Sequence, residues 1–342
     1  MQTVQLTAFQ PLSWLQSTAS NHNNCSVFFN PWNSFCEFQG FFFSPKIKVS
    51  SIELYSLSMS KFILNIHCPD QKGIITTVTN FIHLNAGNIL YIDQYVDREN
   101  KLFFMRLECE FINGDFPEAQ FKKTFDKAVA EQYSLTYELY NLEDRPKMAL
   151  FVSKYDHCLY DILARYQSNE LAVEIPFILS NHEDLSEIAE RFDLPFYHVP
   201  VTKDTKLEAE EKQLEILQKH NVECIVLARY MQIISPKLIE HFPNKIINIH
   251  HSFLPAFPGA KPYHSAYERG VKIIGATSHY VTEELDAGPI IEQNITQVSH
   301  LHSIQDFIAK GRDLERMVLS KAIQLHINRK VMVYQNKTVV FS

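Results

Sequence analysis

No stretch of the 342-residue chain approaches the roughly 18 uninterrupted apolar residues that a membrane helix requires, so no membrane partner is expected. A basic stripe is also missing. The formal charge of -7 and a pI near 6.1 lack the concentrated Lys and Arg that phosphate backbones demand, which argues against nucleic acid. The six cysteines (Cys25, Cys36, Cys68, Cys109, Cys158, Cys224) contain no C-x-x-C pair, excluding a zinc ribbon or a disulfide framework. They read as reduced, mostly buried thiols of a cytoplasmic protein. No H-E-x-x-H spacing exists, and the adjacent His250 and His251 would point apart on a strand, so no metal is expected.

What is present suffices for two domains, since single cores stop growing near roughly 250 residues and 46% of the chain is hydrophobic. The start is irregular. Met1 to Ser58 mixes Asn, Ser, Gln and aromatics without periodicity, and lacks the basic region and apolar block of a signal peptide. Met59 follows, and an ordered pattern begins at once. Residues 1–58 are therefore expected to be an upstream artefact or a disordered extension, the alternative being a tail that packs its aromatics elsewhere.

From Lys61 the pattern is strand (Phe62 to Ile66), a Pro69/Gly73 turn, a helix carrying Ile74, Val78, Phe81 and Ile82, then strands at Ile89 to Val96 and Leu102 to Glu110. A helix at Phe116 to Gln132 and a strand at Ser134 to Leu139 complete a βαββαβ unit. The first helix is expected to end at Asn85-Ala86-Gly87-Asn88, where Gly and Asn tolerate left-handed backbone. Cys-Pro-Asp-Gln-Lys-Gly-Ile at 68–74 with Ala-Gly-Asn-Ile-Leu at 86–90 resembles the ACT domain, a ferredoxin-like module. That resemblance implies either an amino-acid sensor or a module that only dimerises or props up its neighbour.

After the charged, proline-bearing linker at 143–147 the period changes. Strands are expected at Met148 to Val152, Ala172 to Leu179, Phe196 to Val199, Cys224 to Leu227, Lys245 to Ile249 and Gly275 to Val281. Helices from Cys158, at Glu183 to Arg191 and at Leu207 to His220 separate them, and a terminal hairpin follows Val331. Crossovers of that length mean a doubly wound, mostly parallel sheet, with ligands beyond the carboxyl ends of its strands. The expected fold is thus α/β: a ferredoxin-like domain at 60–142 and a doubly wound domain at 148–342.

Asn248 and His250, two apart at a strand end, project to one face. Asp286 lies in a turn-like loop, Thr282 to Gly288, after the next strand, and a stiff loop from Ser252 to Pro262 could wall a pocket. An amide, an imidazole and a carboxylate could hold a carbonyl, stabilise its oxyanion and manage a proton. Each residue also has a structural explanation by itself: a turn cap, a satisfied buried histidine, a loop anchor.

Taken jointly, Asn-x-His on a strand, Leu254-Pro255, a later His279 and Asp286-Ala287-Gly288-Pro289-Ile290 resemble the folate-dependent formyltransferase-like hydrolases and transferases from Lys147 to Ser342. The resemblance implies Asn248, His250 and Asp286 as catalytic residues acting on the formyl carbon of 10-formyltetrahydrofolate, with no prosthetic group. His279 and Thr277 are expected to position Asp286 or a water. Leu227 to Ser235 resembles the family's pterin-binding segment, implicating Met231, Gln232, Ile233 and Ile234, although Gln232 stands where arginine is more usual. Core packing of Met231 and Ile234 is the competing account.

Transferases to a nucleotide hold its phosphate with a glycine-rich loop, whereas Val152 to Cys158 here contains no glycine and an acidic Asp156. Water then remains as nucleophile. With the ACT-like module in front and Phe-Pro-Asn-Lys-Ile-Ile-Asn-Ile-His-His-Ser-Phe-Leu-Pro-Ala-Phe at 242–257, the chain resembles the formyltetrahydrofolate deformylases. The rivals are a formyltransferase to an amine acceptor such as glycinamide ribonucleotide, and a non-enzymatic amino-acid sensor. A homo-oligomer is expected from the ACT-like likeness, and an amino-acid effector under its sensor reading alone.

Overall fold

A computed structural model describes residues 60–111, 118–256 and 262–341. The leader before Met59, the expected helix start at Phe116 and residues 257–261 of the proline-bearing loop lie outside the described residues.

Strands β1 (Ser60–Pro69), β2 (Gly87–Asp97), β3 (Leu102–Phe111) and β4 (Thr136–Asn141) form an antiparallel sheet ordered β2-β3-β1-β4, the ferredoxin-like order. Alternation sends Phe62, Leu64, Ile66 and Cys68 of β1 under the helix Ile74–Leu84 and the helical stretch 118–133, where Phe81, Phe121 and Phe125 close the core. The opposite face is buried too. Phe104 of β3 packs there on Met332, Val339 and Phe341 of a hairpin from the far end of the chain, β12 (Val331–Tyr334) and β13 (Lys337–Val340). At the end of the first helix the left-handed residue is Ala86, at φ 58°, rather than the expected Gly or Asn. Gly87 has a steric reason instead, since a Cβ there would come within 2.6 Å of the Phe111 ring.

The second sheet runs β11-β10-β9-β8-β5-β6-β7, from β5 (Met148–Val152), β6 (Ile178–Ser180), β7 (Phe196–His198), β8 (Cys224–Leu227), β9 (Ile246–His250), β10 (Ile273–Tyr280) and β11 (Ile290–Gln297). Neighbours from β7 through β9 are parallel, and β10 is antiparallel to both β9 and β11. The chain winds outward from β5 to β7, then returns to β8 on the other side of β5. That reversal opens a crevice at the carboxyl ends of β5 and β8.

The strand expected over Ala172 to Leu179 shrinks to Ile178–Ser180. Pro176 has no amide to donate, and Glu174 makes only an isolated bridge to Lys147. The expected Glu183 to Arg191 helix begins only at Ser186. Strand β11 and the helix Ile304–Ile327 were not expected, though the latter opens on a capping box of Ser303 and Asp306. This helix packs with His157–Gln167 over one face of the sheet, and Lys206–Lys219 covers the other. Among the described residues no helix is long and apolar enough to cross a membrane.

Candidate active site

The apolar alternation of β9 buries Ile247 and Ile249 on one face, so Asn248 and His250 share the other. Pairing with β10 sets His279 opposite Asn248 and Thr277 opposite His250, adding two residues to that face. Beyond Tyr280 the chain folds back, and Asp286, at φ 55°, turns its carboxylate toward the histidines. Aspartate tolerates this left-handed conformation better than most residues. Three contacts hold the returning loop. Tyr280 N donates to Pro289 O (2.9 Å), Asn336 Nδ2 donates to Ala287 O (2.8 Å), and Gly288 lies so close to Tyr280 that a Cβ would come within 1.8 Å of its carbonyl oxygen.

His250 Nδ1 lies 3.2 Å from Asp286 Oδ2, and His279 Nε2 lies 3.6 Å from Asp286 Oδ1. The His250 imidazole, donating from Nδ1, outweighs the opposing effect of burial and holds the Asp286 carboxyl well below the usual carboxylate range. His279 Nδ1 donates to the Tyr280 carbonyl at 2.9 Å, so its Nε2 can accept from the Asn248 amide at 3.2 Å. One amide N–H of Asn248 is thereby used and the second is left for a ligand. His250 Nε2 is buried and has no protein partner. Thr277 Oγ1 serves a neighbouring loop instead: it donates to Ser252 O and accepts from Leu254 N and Gln293 Nε2.

Asn248, His250, His279 and Asp286 line a cavity of about 480 Å³ whose opposite wall is the segment 229–234. Ser153 Oγ, Tyr230 OH and Glu210 Oε1 fix that segment, accepting from Met231 N (3.1 Å), Gln213 Nε2 (3.0 Å) and Ser235 N (3.0 Å). Met231 and Ile233 are exposed at 48% and 60%, Gln232 is half-buried, and Ile234 sits in the core. The Met231 amide is committed to Ser153, and the Gln232 amide to Tyr230 O at 2.8 Å.

A family model described as "Formyl transferase" matches residues 146–323, a span that includes every residue of this cavity. A formyltetrahydrofolate deformylase of Synechocystis sp. is 49% identical over 279 residues, covering 82% of this chain and 98% of that protein. The chain belongs to the formyltetrahydrofolate deformylase family. The Bacillus subtilis deformylase is 45% identical over 280 residues, covering 82% of this chain and 93% of its own. The crystal structure of a deformylase from Pseudomonas syringae pv. tomato superposes with a TM-score of 0.79 at 44% identity, over 84% of this chain and 97% of that one. These alignments exceed the length of the catalytic domain, so the deformylase likeness extends into the N-terminal module.

One cluster beside the deformylase cavity was not foreseen. Glu315, 1% exposed on the Ile304–Ile327 helix, is bonded to His157 Nε2 at 3.0 Å and accepts from the Tyr263 hydroxyl at 2.7 Å, and it is ion-paired with Arg229, whose Nε lies 3.3 Å away without a hydrogen bond. Burial opposes its charge, but these partners outweigh it and keep Glu315 below the ordinary glutamate range. His157, Cys158 and Glu315 have ligand atoms within 4.8 Å of one another, a spacing that could suit a metal ion. Both Glu315 oxygens are already committed to protein partners, and burial raises the Cys158 thiol well above its usual pKa, so the set fits an ion-pair network better than a metal centre. A Ser-x-x-Asp cap ahead of this helix was the available signal, but a glutamate on a helix ordinarily reads as solvent-facing.

Proposed function

We propose that the chain hydrolyses 10-formyltetrahydrofolate to formate and tetrahydrofolate, serving one-carbon metabolism and formate supply for purine biosynthesis. The observation that carries this reading is the meeting of Asp286, His250 and Asn248 on one cavity faced by the 229–234 segment. The pterin would lie against residues 231–234, with the formyl carbon at the unpartnered Nε2 of His250. Water adds to that carbon while the Asp286–His250 pair takes its proton. The oxyanion is held by the free N–H of Asn248 and by protonated His250. The C–N bond then breaks, His250 returns the proton to the departing nitrogen, and formate leaves. Carboxylate, imidazole and amide supply base, shuttle and oxyanion donor, so the reaction as drawn calls on no metal.

Under the same reading, residues 60–142 are an ACT-like module that takes an amino-acid effector, the chain associates with copies of itself, and it works in the cytoplasm. The four described cysteines, free and buried, support a reducing compartment. Incubation with formyl-folate alone tests the main claim: formate is expected in step with tetrahydrofolate. Loss of the formyl group that requires an added amine and yields the formylated amine in place of formate would establish the transferase instead.

A further inference from the structure

The helix Ile304–Ile327 ends in a turn that its own sequence disfavours. Arg329 N donates to His326 O at 3.0 Å and Lys330 N to Leu325 O at 2.9 Å, the pattern in which glycine usually supplies the left-handed residue. Here that residue is Arg329, at φ 54°. Three residues of the N-terminal sheet converge on it. Arg106 of β3, 1% exposed and ion-paired through Nη2 with Glu108 at 2.7 Å, donates from Nε to Arg329 O (3.1 Å) and from Nη2 to Asn328 O (2.9 Å), carbonyls that the helix end leaves open. Asn65 Nδ2 donates to Arg329 O at 3.0 Å, and the Arg329 guanidinium lies 4.2 Å over the ring of Tyr140.

This clamp leads directly to the catalytic face. His326, in the helix's last turn, bonds the Tyr280 hydroxyl through Nδ1 at 2.8 Å. The Tyr280 carbonyl accepts from His279 Nδ1, and the Tyr280 amide holds Pro289 at the end of the Asp286 loop. We infer that Arg106, though it belongs to the N-terminal module, is a positioning residue for the active site, acting through the 326–329 turn and Tyr280 on the His279 ring and the Asp286 loop. The N-terminal module thereby has a physical means of acting on catalysis. This rests on the deformylase reading for the roles of His279 and Asp286.

The full-length protein tests it. Arg106→Gln is expected to lower kcat about tenfold with KM within about twofold, and Arg106→Lys to recover part of the loss. Tyr280→Phe, which cuts the same chain further on, should lower kcat similarly, and the double variant should be no slower than the slower single one. Tyr334→Phe removes a different bond between the N-terminal sheet and the hairpin, Tyr334 OH to Asp97 Oδ2 at 2.8 Å, and should keep wild-type kcat. The inference is overturned if Tyr334→Phe costs as much turnover as Arg106→Gln, or if the Arg106 and Tyr280 losses multiply. Should Arg106→Gln fail to fold, wild-type kcat in Tyr280→Phe overturns it equally well. Formate release by the wild type tests the deformylase reading separately, because the clamp is read from variant-to-wild-type ratios.

Discussion

His250 Nδ1 meets Asp286 Oδ2 at 3.2 Å across a fold-back loop, and this contact sets the direction of the imidazole. With Nδ1 turned to the carboxylate, Nε2 is the nitrogen left facing the cavity, buried and without a protein partner. An ionised Asp286 accepts from Nδ1–H and so fixes the tautomer and orientation of the ring.

Asp286→Asn removes that charge while keeping the shape. Turnover should fall by roughly a hundredfold or more, the scale of a lost general acid–base partner, with folding by circular dichroism unchanged. Near-wild-type kcat in this variant would remove Asp286 from the proposed chemistry.

The strand alternation that pairs Asn248 with His250 was legible because period two is local and buried isoleucines flag it. The ferredoxin-like unit was legible for the same reason. Arg106 and Glu315 were not. A charged residue within a strand or helix reads as solvent-facing, and the carbonyls that receive Arg106 lie 222 and 223 positions away. Strand β11 escaped because much of it is exposed and polar, with Glu292, Gln293, Asn294 and Thr296 diluting the pattern.

His326 should make the protein acid-sensitive. Burial first, then Arg329 and Lys245, push its pKa down to about 3, against roughly 6.5 in an unfolded chain. Between those values the unfolded chain binds a proton that the folded one refuses, so stability falls as pH drops below about 6.5. Asp286 works in the same sense but at lower pH: its depressed pKa stabilises the fold above about 4, and that contribution is lost only as pH falls below. The pH 5 to 7 window therefore leaves out the carboxylate, and the His326→Gln variant separates His326 from His67, whose pKa burial also lowers. Urea midpoints measured there should drop with acid in the wild type and drop less in His326→Gln. Parallel slopes would mean that the ring accepts its proton without cost.

Ser153 is expected to matter for binding rather than chemistry. Its hydroxyl donates to Asn181 Oδ1 at 2.6 Å and accepts from Met231 N, tying the cavity wall to the end of β5. Ser153→Ala leaves these groups unpaired in a buried place, a cost of about 1 to 3 kcal/mol. KM for formyl-folate should rise about fivefold or more while kcat stays within about twofold. A fall in kcat at constant KM would place Ser153 closer to the reaction than the geometry does.

Two glycines separate loop position from backbone conformation. A methyl group at Gly288 would lie 1.8 Å from Tyr280 O and 3.2 Å from Thr282 Cγ2, and a backbone oxygen cannot swing aside as a side chain can. The loop must shift, and Asp286, two residues earlier, shifts with it. Gly288→Ala should therefore lose about tenfold or more in kcat, since catalytic groups tolerate little misplacement. Gly270 has φ 67° with nothing within 4 Å of a built Cβ, so Gly270→Ala meets backbone strain alone, about 1 kcal/mol of stability, and should keep its turnover. Equal kcat in the two variants would show that the Asp286 loop absorbs the methyl group without moving its carboxylate.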